Sequence, residues 1–192
     1  ASDIVLAGGV EKMNDGAEVT DVLAYASDQE LEAYHGITFP GLYAMIARAH
    51  MAKHGTTEED LAWVAVKNHH HGAMNPKAQF RREFTAEQVL ASSMVSEPLR
   101  LLLCSPVSDG AAAVLLCPLD QAKKYTDRPV QIIGSGLATG TMTLAERDDP
   151  SFLDSVKLSA ERAYKMADIG PGDVQVAEVH DCFAIAEICC IE

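Results

Sequence analysis

The 192-residue sequence predicts an α/β protein. Three observations carry that expectation. Short apolar runs have strand length, capped segments with helical spacing lie between them, and glycine- or proline-marked breaks separate the two kinds. The chain is long enough for one good core or one and a half domains. Hydrophobic residues at 48% against charged residues at 22% place it with folded globular proteins rather than disordered ones.

Taken in order, Asp3–Ala7 followed by Gly8 and Gly9 reads as a buried strand ending in a tight turn. Asn14–Thr38 is mixed and acidic, and reads as loop with a short helix. Pro40 and Gly41 open a helix whose apolar positions Leu42, Met45, Ile46 and Ala49 are spaced i, i+3, i+4, i+7, with Gly55 as its stop. Thr56–Glu59 has the form of a capping box before the apolar run Leu61–Val66, and Thr85–Gln88 repeats it before Val89 and Leu90. Leu99–Leu103 and Ala111–Cys117 read as strands, the second too apolar for a wet face.

A seam falls near Pro118–Pro129. Beyond it, Val130–Ile133 predicts a strand ending in Gly134-Ser135-Gly136. Asp149 and Pro150 predict a helix start, with Leu153, Val156, Ala160, Ala163 and Ala167 on one face and Gly170–Gly172 as its end. Val174–Val179 predicts a last strand with His180 and Asp181 at its carboxyl end, and the chain is helical from Phe183. The abrupt first strand and the uncapped last helix suggest an internal piece of a longer protein.

Composition excludes several function classes. A formal net charge of −13 disfavours nucleic acid or an anionic membrane as partner, because phosphate binding relies on Lys and Arg. The apolar runs are far shorter than the roughly 20 residues of a membrane span, and Ala1–Val10 lacks the basic start of a signal peptide. The cysteines, Cys104, Cys117, Cys182, Cys189 and Cys190, show no paired metal spacing and read as reduced, buried thiols of a cytoplasmic protein. His69, His70 and His71 cannot all face one ion, so a solvated loop is expected there rather than a metal site.

Chemistry concentrates where strands end and helices begin. His180 occupies such a position, and an imidazole there can hold a water or donate one hydrogen bond to a developing oxyanion. A capping or core histidine is the plain alternative. Residues Leu61–Arg82 contain no acid but carry Lys67, Lys77, Arg81 and Arg82, a stretch suited to an anion in an otherwise acidic chain, or simply a basic surface. Gly134-Ser135-Gly136 lacks the third glycine and the lysine of nucleotide-binding motifs, which removes a phosphate-loop reading.

Five blocks in order carry a family resemblance. Val179-His180-Asp181-Cys182-Phe183, with Glu178 before it and Ala186-Glu187-Ile188 after it, resembles the HDCF block of thiolases of the sterol-carrier-protein type. Asp3–Met13 resembles the strand and turn after the nucleophile helix. Lys67–His69 with Asn75-Pro76 and Ala78–Arg81 resembles the inserted-loop region. Ser105-Pro106 and Ser108–Ala113 resemble the small-residue strand near the site.

The resemblance implies a partial thiolase fold of layered αβαβα halves. Residues 1–120 would be the later part of the N-terminal domain, with the loop insertion at about 14–104, and residues 121–192 the start of the C-terminal domain. It implies acyl transfer at a cysteine thiolate, with acyl-coenzyme A as substrate and no covalently bound cofactor. His180 would steady the thioester oxyanion through a water. Lys67, Asn75, Arg81, Arg82, Ser108, Asp109 and Gly110 would lie along the substrate site, the basic ones toward coenzyme A phosphates. Partners in such a family are a second or further copies, as homodimer or homotetramer, and an OB-fold acyl-coenzyme A–binding protein.

One departure is as informative as the match. The acylated cysteine would precede Asp3–Met13, yet no cysteine here precedes Cys104, and the downstream histidine and second cysteine would follow Glu192. Residues 1–192 alone are therefore expected to be inactive. Cys182, Cys189 and Cys190, beside acids or in an apolar helix, are expected to pack rather than react. A ketoacyl synthase or hydroxymethylglutaryl-coenzyme A synthase relative would be expected to show a different histidine block. The rival from another class is a non-catalytic thiolase-like subunit that binds acyl groups or lipid for a partner.

Overall fold

Helix caps set the centre of this molecule, and the rest is arranged around them. The structure, a computed structural model, describes residues 2–15 and 19–192. Ala1, at the start of the Ala1–Val10 reading, and residues 16–18, within the stretch read as loop with a short helix, lie outside the described residues. The first half runs β1 (Val5–Glu11), α1 (Val19–Ala24), α2 (Phe39–His54), α3 (Glu58–Met74) and α4 (Ala86–Leu90). Then follow β2 (Met94–Ser96), β3 (Leu99–Arg100), β4 (Gly110–Leu116), α5 (Asp154–Ala167) and α6 (Ala184–Ile191).

At α2, the Thr38 hydroxyl accepts from the Gly41 amide, Pro40 sits in the first turn, and Gly55 takes the left-handed conformation (φ 79°) that ends the helix. The capping box of α3 falls one residue later than the sequence suggests. Thr57, not Thr56, is the N-cap: its hydroxyl accepts from the Asp60 amide at 3.2 Å and the Asp60 carboxylate accepts from the Thr57 amide at 2.8 Å. Thr56 is engaged elsewhere, 2.7 Å from Nδ1 of His50. The box at α4 is the expected one, Thr85 with Gln88.

These caps aim α2 and α3 at α6, and the core forms where the three meet. Its buried residues are Leu42, Ala44, Ile46, Ala47 and His50 of α2, Leu61, Ala62, Val64 and Ala65 of α3, and Ala184–Glu187 with Cys189 of α6. Val89, Leu99 and Leu103 close it from the side of α4 and β3. The buried face of α2 differs from the expected one, since Met45 is exposed while Ala44 and Ala47 are covered. Small side chains let the helices approach, and that selects the face. Phe39, Tyr43 and Phe183 stack beside this core, Tyr43 and Phe183 with centroids 4.7 Å apart.

The strands depart further from expectation. β1 runs through Gly8 and Gly9 without turning, and pairs antiparallel with β4 from Val5↔Leu116 to Glu11↔Gly110. Neither strand is buried: Leu6 is 73% and Val10 75% exposed. Apolar composition reports what a strand is suited to face, and among the described residues nothing covers this ribbon. The run Leu99–Leu103 is a two-residue strand followed by a 3₁₀ turn, with β2 and β3 forming a second small antiparallel pair. Val130–Ile133 and Val174–Val179 are in no ladder among the described residues, because a strand needs a hydrogen-bonding neighbour as well as a suitable sequence.

The helix expected at Asp149-Pro150 begins at Asp154. Asp149 instead caps a turn, accepting from the amide and hydroxyl of Ser151 at 2.9 and 2.6 Å, and pairs with Lys53. The helix ends at Asp168 in the left-handed region (φ 57°), before Gly170 is reached. The segment 134–140 lies along its half-buried face. A Cβ on Gly134 would strike the carbonyl oxygen of Ala163, one on Gly136 that of Ser159, and one on Gly140 would touch Ser155. Close backbone approach therefore accounts for the glycines that resembled a phosphate loop. Gly136→Ala should lower stability by about 1–3 kcal/mol through overpacking. Gly9→Ala, whose Cβ meets nothing within 4 Å, should be neutral or mildly stabilising; urea unfolding midpoints of the two variants check both.

Candidate functional site

Helix α3 carries one wall of a cleft whose other wall is the extended run 176–179. Lys67, Asn68, His71, Gly72 and Asn75 line the first side, and Val176–Val179 with Asp181 the second, while Glu187 and Ile191 of α6 close the base. A second, smaller cavity shares Asn68 and Asp181 and is bounded by Ala65, His69, Cys104, Ser105, Pro106 and Ala184. Asn68 and Asp181 thus stand between the two.

The segment carrying the expected site histidine is pinned from several sides. The Ser105 amide donates to the Cys182 carbonyl at 2.9 Å. Cys104 and Phe183 form an isolated antiparallel bridge, and the Phe183 ring packs on Tyr43. His180 itself is exposed, next in sequence to the cleft residues Val179 and Asp181 though not itself in the lining, and three residues ahead of the N-cap Phe183. Among the described residues no side-chain hydrogen bond or ion pair engages its imidazole, which leaves it free to bond a water or a ligand atom.

The next residue, Asp181, belongs to a charge cluster. Asn68 Nδ2 donates to Asp181 Oδ2 at 2.5 Å and to Glu187 Oε2 at 2.8 Å. Lys67 Nζ donates to Asn68 Oδ1 at 2.5 Å and pairs with Glu187 Oε1 at 2.8 Å. Glu187 is 5% exposed, and a carboxylate so covered persists only where both oxygens are met. Asp181 differs: its Oδ1 is buried with no partner. Burial, helped by the nearby Glu187 carboxylate, pushes the Asp181 carboxyl above its ordinary value, against the opposing pull of Asn68 and Lys67.

The sequence-derived candidates separate into three groups. Lys67 and Asn75 stand on the α3 wall of the cleft, across from Asp181, the residue after His180. Lys67 is held by Glu187, and Asn75 caps the end of α3, its Oδ1 accepting from the Lys77 amide at 2.9 Å. Arg81 and Arg82 lie on the exposed loop after α3, with the Arg82 guanidinium 5.0 Å above the Phe84 ring. Ser108, Asp109 and Gly110 lie at the end of the β1–β4 ribbon. There Asp109 Oδ1 accepts from the amides of Met13 and Asn14 at 2.8 and 3.0 Å, while Gly110 pairs with Glu11. Among the described residues no hydrogen bond or ion pair joins this third group to His180.

His69, His70 and His71 are helical, in the last turns of α3, rather than in a loop. His69 packs edge-on against Phe84 at 4.7 Å, and burial lowers its pKa. His70 lies 3.2 Å from Glu83, and His71 faces the cleft. A different trio, His50, His54 and Glu192, gathers ligand atoms within 4.8 Å. Both ring nitrogens of the buried His50 already have partners, Thr56 at 2.7 Å and Glu192 at 2.9 Å, which accounts for the grouping without an ion. The cleft residues that the sequence did not single out as site candidates are Asn68 and Glu187. The signal for Glu187 was one acid inside the otherwise apolar Ala184–Ile191, a pattern that demands a partner.

The five cysteines are free thiols. Burial pushes Cys104 and Cys189 up to about 11, and also raises Cys182 and Cys190. At pH 8 a thiol titrating near 11 is thiolate only about one part in a thousand, and so a poor nucleophile. Ellman titration of the native chain at pH 8 should leave Cys104 and Cys189 unreacted until denaturant is added; prompt reaction of either would contradict their burial.

Asp181 makes a second prediction. Its folded pKa is raised from 3.8, so the folded chain binds that proton more tightly than the unfolded chain. The stability it contributes is present at low pH and is lost as pH rises from the ordinary value through the raised one. Asp181→Asn removes this dependence, and denaturation at pH 4 and pH 7 should show the variant gaining on the wild type at the higher pH. Among the described residues no helix is long and apolar enough to cross a membrane.

Comparison with known proteins gives this geometry a family. Residues 1–120 match the model of the thiolase N-terminal domain, and residues 136–192 that of the thiolase C-terminal domain-like family. An acetyl-CoA acetyltransferase of Methanothermobacter thermautotrophicus is 54% identical over 190 residues, covering 99% of this chain and 50% of that protein. The benzoylsuccinyl-CoA thiolase subunit BbsB of Thauera aromatica is 35% identical, covering 97% and 48%. Sterol carrier protein 2 of Gallus gallus is 34% identical, covering 97% and 37%.

Among solved structures, the Ltp2-ChsH2(DUF35) aldolase superposes with a TM-score of 0.85 at 27% identity, over 98% of this chain and 50% of that one. A monomeric SCP2-thiolase like protein type 1 from Mycobacterium smegmatis gives 0.73 at 22% identity, over 98% and 41%, a likeness of fold alone. The chain spans about half the length of the curated acetyl-CoA acetyltransferase that it matches. The mixed helix-and-sheet architecture is therefore part of a thiolase fold, and with both halves of the family's pattern matched in order along its length, the chain belongs to the thiolase family.

Proposed function

We propose that the protein is an acyl-coenzyme A acyltransferase of the thiolase type, cleaving 3-ketoacyl-coenzyme A or condensing acetyl-coenzyme A units through a cysteine acyl-enzyme. The observation that carries this reading is the 54% identity to an acetyl-CoA acetyltransferase over 99% of the chain, joined to an exposed, unencumbered His180 next in sequence to the cleft residues Val179 and Asp181. In this reading the imidazole, directly or through a water, donates to the thioester oxygen as negative charge develops on it. The acylated cysteine belongs to the whole protein and not to residues 1–192, where the first cysteine is Cys104; this stretch alone is expected to be inactive.

Coenzyme A is substrate in this scheme, and no covalently held cofactor is needed. Arg81 and Arg82, with Asn75 and Lys67 behind them, present donors suited to its phosphates. Because Lys67 already balances Glu187, most of the anion attraction falls to the two arginines. Ser108, Asp109 and Gly110 belong to the substrate site in this reading, at the end of the β1–β4 ribbon, where Asp109 accepts from the Met13 and Asn14 amides. Residues 1–120 would belong to the N-terminal domain and 121–192 to the start of the C-terminal domain. A reducing, cytoplasmic setting suits the free thiols, of which Cys182 and Cys189 are buried and Cys104, Cys117 and Cys190 partly covered, and assembly as a homodimer or homotetramer completes the reading.

The second reading is a non-catalytic, acyl- or lipid-binding subunit that works with a partner such as an OB-fold acyl-coenzyme A–binding protein. What favours it is that the 0.85 TM-score neighbour carries a partner, ChsH2(DUF35), in its name. Acetoacetyl-coenzyme A cleavage by the full-length protein separates the two. His180→Ala should reduce kcat by roughly 10²–10³-fold, the cost of one lost oxyanion donor. Arg81→Ala with Arg82→Ala should raise KM for the acyl-coenzyme A severalfold with little change in kcat. A full-length protein with no thiolysis supports the binding subunit instead.

A further inference from the structure

We propose that Asn68 is a positioning residue for His180, its single amide nitrogen holding Asp181 and Glu187 at once and so fixing the peptide that carries the imidazole. The inference rests on the oxyanion role proposed for His180. It goes beyond that role by naming what holds the ring in place.

The amide is fully used. Two N–H groups reach two carboxylates at 2.5 and 2.8 Å, and the carbonyl oxygen accepts from Lys67 at 2.5 Å. Rotating the amide by half a turn would aim its oxygen at two carboxylates and its nitrogen at an ammonium, so the surroundings admit one orientation. Glu187 is met on both oxygens and anchors this end of α6 to α3. Asp181 has only the Asn68 bond, since its other oxygen is buried without a partner.

Position makes that single bond consequential. Residues 182 and 183 are held by Ser105, Cys104 and Tyr43, whereas 171–180 are exposed throughout. Asp181 is the last anchored residue before that exposed run, and His180 is the next one. Without Asn68 nothing described ties the Asp181 side chain, and the neighbouring imidazole gains freedom it does not have now. A displacement of about 1 Å at a reacting group can reduce turnover roughly 10²-fold.

The test uses the full-length protein, with thiolysis of acetoacetyl-coenzyme A as readout. Asn68→Ala should lower kcat by roughly 10²-fold at every pH, with KM for the acyl-coenzyme A changed less than about twofold. Asn68→Asp keeps the volume but places a third carboxylate beside Asp181 and Glu187, with Lys67 the one ammonium bonded there and Glu178, His69, His71, His180, Cys104, Cys182 and Cys190 as further titratable groups around them. At pH 8 it should be as impaired as Asn68→Ala. As pH falls the cluster takes up a proton, a carboxyl O–H can donate where the amide did, and activity relative to wild type at the same pH should recover. A role in packing alone would leave that ratio flat with pH, and a flat ratio overturns the inference. In a His180→Ala background, Asn68→Ala should cost little further, because it acts through the missing ring; full additivity overturns the inference. Wild-type kcat in Asn68→Ala, with His180→Ala impaired, removes the positioning role and leaves the His180 role standing. Wild-type kcat in His180→Ala removes both. Thermal melts accompany each variant, and if Asn68→Ala does not fold, the isosteric Asn68→Asp carries the test through its pH ratio.

Discussion

The buried carboxylate of Glu187 is the constraint on which the site depends. An acid at 5% exposure inside an apolar helix carries a desolvation penalty of several kcal/mol unless its oxygens are paired and hydrogen-bonded. Lys67 and Asn68, adjacent on α3, meet both oxygens. That requirement allows only one rotation of α6 against α3, because any other would bury the charge alone. Ile185, Leu61, Ala62 and Ala65 are buried in the same core, but apolar packing tolerates sliding in a way the charge cluster does not.

From that fixed helix pair the site follows outward. Asn68, locked by Glu187 and Lys67, presents its second N–H to Asp181, and the chain between Asp181 and Phe183 is held from the other side by Cys104, Ser105 and Tyr43. His180 leaves this clamp as the first residue of the exposed run that leads back from Asp181. The same helix that contributes to the core thus orders a polar cluster one turn beyond its buried residues.

Away from this centre the molecule is more open. The β1–β4 ribbon and the extended runs 130–133 and 174–179 expose apolar side chains on surfaces that a layered α/β sheet would cover. The chain spans about half the length of its curated acetyl-CoA acetyltransferase relative, and the exposed strands are the parts whose environment is set by neighbours rather than by their own sequence. The thiols follow the opposite pattern. Cys104, Cys182 and Cys189 are drawn into the packed region, where burial keeps them protonated.

Local chemistry was readable from the residues alone. The starts of α2 and α4, at Thr38 and at the Thr85–Gln88 box, follow from side chains bonding backbone groups a few positions away, and the stop at Gly55 from glycine's tolerance of the left-handed conformation; neither needs a distant partner. The HDCF block gave the family and marked His180 in the same way, as a contiguous pattern. What the sequence could not decide involved contacts across many positions. Thr56 lost the cap to Thr57 once His50 engaged it, Gly134 and Gly136 acquired their reason from α5, and Val130–Ile133 stayed outside any ladder for want of a neighbour. The Asn68 bonds to Asp181 and Glu187 span 113 and 119 positions. A carboxylate's need for a partner is written in its own side chain, but which residue answers it is settled only when the helices pack.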